Sequence, residues 1–109
     1  MQQLSSIDDV RRLVYSNKIA VVVYLGSDEE LNSYVTRVVR SIESVSKNAI
    51  AYGLYRVGRG SREAVVIVYV DGREVLEQRY YFMNLDLDVK ALKMGIRSVI
   101  NALGLTAPF

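Results

Sequence analysis

Ile19-Ala20-Val21-Val22-Val23-Tyr24-Leu25-Gly26-Ser27-Asp28-Glu29-Glu30-Leu31 is the stretch on which the fold turns. Its first seven residues are apolar without a break, largely β-branched, and closed by a glycine. A strand of that kind is buried on both faces and belongs inside a sheet, with parallel neighbours. Ser27 followed three residues later by Glu30 has the spacing of a capping box. Leu31, Tyr34, Val35, Val38, Val39, Ile42 and Val45 then recur at offsets of three and four, which predicts a long amphipathic helix. Its polar face would hold Asn32, Ser33, Thr36, Arg37, Arg40, Ser41, Glu43 and Ser44. Residues 49–57 return as a second strand, so the passage has the length of a parallel strand–helix–strand crossover.

Working outward, Ser6 before Ile7, Asp8 and Asp9, with Val10, Leu13 and Val14 at helical spacing, predicts a capped helix over 6–16. Downstream, residues 58–62 read as a loop and 64–70 as a third strand. Asp71-Gly72 is a two-residue hairpin signal, and 73–81 is the returning strand, with Val70 expected opposite Arg73 and Val68 opposite Val75. A last helix begins at 84–88 and carries Val89, Leu92, Ile96, Val99, Ile100 and Leu103 on its apolar stripe. Gly104 ends it and Pro108 cannot continue it.

The chain has 109 residues and formal charge +2, with 50% apolar and 24% charged residues. That is the composition of one globular domain, 1–109, with its core over 6–104. There is no Cys and no His. Disulfides, thiol nucleophiles, thiolate or imidazole metal sites and the commonest general base at neutral pH are therefore excluded. The longest apolar runs, 19–25 and 64–70, are too short for a membrane span, and a cytoplasmic location is expected.

The order helix, strand, helix, strand, loop, hairpin, helix, together with Ala64-Val65-Val66-Ile67-Val68-Tyr69-Val70-Asp71-Gly72-Arg73-Glu74-Val75, resembles the thioredoxin-like superfamily over residues 6–104. The resemblance implies an α/β domain with a four-stranded mixed sheet and helices on both faces. Numbering the strands 19–25, 49–57, 64–70 and 73–81 in turn, their order would be 2-1-3-4. In the superfamily the redox Cys-x-x-Cys sits where the first buried strand meets the long helix; here those positions hold Gly26-Ser27-Asp28-Glu29-Glu30. The superfamily's cis-proline would fall near Glu63, and the sole proline is Pro108. What transfers is a redox-inert scaffold that works as a protein-interaction module, with no catalytic residue, metal or cofactor assigned. The rival topology, a ferredoxin-like or RNA-recognition fold, needs a final strand that Leu105 to Phe109 is too short to supply.

Two groups of residues compete for a functional role. Asp28, Glu29 and Glu30 are the densest acidic cluster, but adjacent positions on a helix diverge, and acids in a first turn are favoured by the helix dipole. Arg56, Arg59 and Arg62, threaded with Gly58, Gly60 and Ser61, form a basic loop able to meet a polyanion through guanidinium forks. From Arg37 to Arg62 there are six basic residues against the single acid Glu43, and Tyr52, Tyr55, Tyr69, Tyr80 and Tyr81 offer stacking surfaces. These define the alternative function, nucleic-acid binding. Against it, the loop would lie beside Asp28, Glu29 and Glu30, whose carboxylates are the arginines' nearest partners, while Lys47 would lie at the opposite end of the sheet.

The order 2-1-3-4 puts residues 49–57 at an edge. Ala49, Ala51, Gly53 and Tyr55 belong to an uncharged run whose backbone would be unpaired, whereas the other edge, 73–79, is charged and self-protecting. Pairing with a second copy or with a partner's strand is the expected cover.

Overall fold

The structure is a computed structural model and describes residues 1–46, 48–57 and 62–109. In chain order its elements are β1 (Gln2–Leu4), α1 (Ile7–Ser16), β2 (Ile19–Leu25), α2 (Glu29–Glu43), β3 (Ala51–Arg56), β4 (Val65–Val70), β5 (Arg73–Gln78) and α3 (Leu85–Ala102). The described residues form a five-stranded mixed sheet in the order β1-β3-β2-β4-β5.

As the unbroken apolar run requires, β2 is central. It pairs parallel with β3, Val22 opposite Gly53, and antiparallel with β4, Val22 opposite Ile67. Alternate side chains go to opposite faces. Ile19, Val21 and Val23 join the larger core beneath α2 and α3, with Val35, Val39, Leu92, Ile96 and Ile100. Ala20 and Val22 meet Val10, Leu13 and Val14 of α1 on the other face. The Asp71-Gly72 turn has positive φ at both residues, 52° and 79°, the backbone a tight two-residue hairpin demands.

Several expectations are corrected. The sheet has five strands rather than four, because Gln2–Leu4 adds itself parallel to β3, Gln2 opposite Gly53 and Leu4 opposite Tyr55. Ala51, Gly53 and Tyr55 thus lie inside the sheet between two partners and not at an edge, and Ala49 precedes the strand. The uncovered edge that motivated pairing with a second copy is filled from within the chain. Gly53 is what allows it: a Cβ there would come 2.6 Å from Leu4 Cδ1 and 2.8 Å from Leu13 Cδ2. In the hairpin, Val70 does face Arg73, but a bulge between Val68 and Tyr69 moves Val68 opposite Leu76 instead of Val75. The bulge turns both Val75 and Leu76 towards the larger core. The returning strand stops at Gln78, and the cap of α2 is Asp28 rather than Ser27, its carboxylate accepting from Leu31 N–H at 3.1 Å. Leu103, expected on the apolar stripe of α3, is half exposed.

Candidate functional site

Strand direction gathers one end of the sheet. There β2 delivers Gly26 to α2, β3 ends at Arg56, β4 begins after Ala64, and β5 runs out into 79–84. At the centre of this end the side chain of Asn32, one turn into α2, folds back on the chain. Its amide donates to the Gly26 carbonyl at 2.8 Å, and its Oδ1 accepts from Gly26 N–H at 2.9 Å. Both backbone groups of the strand–helix junction are satisfied by one buried side chain. Glycine is required at 26 because the chain preceding β4 presses on it: the Glu63 carbonyl oxygen lies 2.4 Å from the position of a Cβ.

Around that clamp the charged groups pair. Arg56 donates to both carboxylate oxygens of Glu29, at 2.6 and 3.4 Å, and the contact holds the Glu29 carboxyl below its ordinary range. Arg79 bridges Glu63, at 3.0 Å, and Glu77. Asp28 is spent on the helix cap. Asp28 and Glu29 are therefore committed to separate tasks, and among the described residues no group of acids is arranged to hold a metal ion.

Asp88, in the first turn of α3, is fully buried. One carboxylate oxygen accepts the Phe82 N–H at 2.9 Å; the other accepts the Met83 N–H at 3.1 Å and the Tyr34 hydroxyl of α2. Met83 sits at φ 61°, a backbone setting that side-chain-bearing residues seldom adopt, and these bonds hold it there. Burial, together with the adjacent Asp88 carboxylate, keeps the Tyr34 phenol protonated up to about 12. The Tyr81 hydroxyl shares its proton between the Ala64 and Gln78 carbonyls, both at 3.0 Å. The segment is anchored at both sides, yet Tyr80, Phe82, Met83 and Leu87 remain exposed by 84, 70, 59 and 50%.

No protein-family model matches the sequence, and none of the curated proteins does. Solved structures match in shape. A mutant thioredoxin from Halobacterium salinarum superposes with a TM-score of 0.60 at 13% identity, over 85% of this chain and 89% of that one. Oxidised thioredoxin from Plasmodium falciparum gives 0.65 at 10% identity, over 84% and 97%. A cysteine-to-serine mutant of Entamoeba histolytica thioredoxin gives 0.60 at 13% identity, over 90% and 98%. The fold is thioredoxin-like.

In this thioredoxin-like fold Gly26 to Glu30 supply a cap, an ion pair and a backbone clamp, and the sequence offers no thiol for exchange. Of the basic residues proposed for a polyanion, Arg56 is engaged with Glu29, as its neighbourhood led one to expect. Arg62 is exposed, with its main chain packed on Gly26, and Arg59 and Lys47 lie outside the described residues. The tyrosines do not share one surface. Tyr52 and Tyr81 turn towards the α2 and α3 side, Tyr55 and Tyr69 join Tyr24 on the α1 side, and Tyr80 stands in solvent. The Tyr24 and Tyr69 hydroxyls meet at 2.7 Å, and Tyr24 packs edge-on against Tyr55. Asn32, expected on the polar face of α2, is instead buried, and so is Asp88, for which the sequence suggests no role beyond the start of α3. Each occupies a buried register of its helix, Asn32 four residues before Thr36 but three before Val35, and Asp88 four before Leu92. A polar residue in phase with an apolar stripe was the available signal.

Proposed function

We propose that this chain is a redox-inert thioredoxin-like module that works by binding another polypeptide at the end of the sheet where the superfamily keeps its cysteines. The observation that carries the reading is the Asp88 anchor. A buried carboxylate and a strained Met83 are costly, and their combined effect is to fix a segment that presents Tyr80, Phe82, Met83 and Leu87 to solvent. Rigid, exposed aromatic and thioether side chains are the groups that dominate protein–protein hot spots. Acids and bases alternate at the margin, Glu30 with Arg37 and Asp86 with Lys90, so the complementary partner is an apolar segment recognised chiefly by its apolar side chains.

Photo-crosslinking tests this reading. A photoreactive phenylalanine analogue placed at position 82 or 87 should trap the same partner in the source cell, and one placed at Arg11 on α1 should not. Equal labelling from all three positions, or none from 82 and 87, would overturn it. Capture of a second copy of this chain would replace the partner by self-association.

A further inference from the structure

Beside Arg56, on the exposed flank of α2, a cleft of about 330 Å³ is lined by Glu29, Ser33, Thr36, Arg37, Arg40 and Arg56, among others. Positions 33, 36, 37 and 40 follow one another at helical offsets, so their side chains rise along one strip of α2. The register of β3 delivers Arg56 across from Leu25, at the strip's upper end. Three guanidinium groups thus face one space with a single carboxylate among them. That carboxylate is already bonded by Arg56, and no ion pair among the described residues involves Arg37 or Arg40. Guanidinium is charged at every accessible pH and offers its N–H groups as a planar fork, the geometry that matches phosphate oxygens. The Ser33 and Thr36 side chains line the same cleft and add hydroxyl donors.

We infer that this cleft binds the phosphate oxyanions of a compact oligophosphate, held by Arg37 and Arg40 with Arg56 fixed in position by Glu29. The occupant is compact because the cleft is short and bounded by acids. A nucleic-acid strand tracks a continuous basic groove with aromatic surfaces for its bases. Here no aromatic side chain is among the lining residues, and Asp28, Glu29 and Glu30 stand at the upper end, where a longer strand would have to continue. This site is separate from the segment around Phe82, and either can fail without the other.

The test is calorimetric titration with inorganic tripolyphosphate at about 50 mM salt, where screening is weak. Wild type should bind. Arg37→Gln/Arg40→Gln should weaken binding at least about tenfold, since it removes two charge-assisted forks. Arg37→Lys/Arg40→Lys should fall between the two, and Arg73→Gln, in the hairpin, should bind like wild type. Both altered side chains are exposed, and circular dichroism with a urea titration on each variant checks that folding is retained. Absence of binding by wild type, or equal binding by the double Gln variant, overturns the inference. An oligothymidylate that binds more tightly than tripolyphosphate through the same two arginines overturns the compact ligand in favour of a nucleic-acid strand.

Discussion

Asn32 satisfies with one amide two backbone groups that would otherwise be buried and unpaired at Gly26. Asn32→Ala should therefore cost about 2 to 6 kcal/mol, the sum expected for one donor and one acceptor left without partners. A lower urea midpoint with an unchanged slope is the expected observation. The tyrosines give a second residue-scale expectation. Tyr34 and Tyr52 are raised to about 12 in the folded chain from 10.0, chiefly by burial. Folding thus favours the protonated phenol. The associated stability is fully present below about pH 10, and it is lost as the pH rises towards about 12, because the unfolded chain releases its protons first. Denaturation followed from neutral to alkaline pH should show a plateau and then a decline; a rise through that window would contradict the assignment.

At the scale of elements, β1 changes how the sheet is closed. Three residues cover β3, and Leu4 fills the space that Gly53 leaves beneath α1. Deleting residues 1–4 should uncover an uncharged strand edge and remove a buried leucine, a loss of about 2 to 5 kcal/mol by analogy with leucine truncation. Light scattering should then find the intact chain as a 12.3 kDa monomer and the shortened one as larger species. A shortened chain that stays monomeric at unchanged stability would show that β1 contributes little. The long elements were legible because each carries a sustained pattern, the seven apolar residues of β2 and the three-and-four spacing of α2, and the hairpin because Asp-Gly suits the positive φ its turn adopts. What was not legible is set by single contacts. Gln-Gln-Leu has too few residues to show a period, and the bulge at Val68 depends on how β5 packs, not on its composition. Asn32 and Asp88 are in phase with the apolar stripes of their helices, but their polar character outweighs that phase in a sequence until the helices are seated on the sheet, where both are buried. The thioredoxin-like scaffold was readable without its chemistry, whereas the loop around Phe82 needed the Asp88 hydrogen bonds to be recognised.

For the whole molecule, thiol–disulfide exchange needs a thiolate, and the chain has no cysteine. A clean preparation should not reduce insulin disulfides, and its melting temperature should not respond to dithiothreitol; catalytic reduction would contradict a redox-inert scaffold. The central claim, polypeptide binding through the segment that Asp88 holds, is tested most directly by titrating the partner trapped at positions 82 and 87 against wild type and Phe82→Ser/Leu87→Ser. Both substitutions are at exposed side chains, so folding should be retained while apolar contact is lost. The account predicts a dissociation constant at least about tenfold weaker for the double variant, as for removal of hot-spot anchors. An unchanged constant in a folded variant would contradict it.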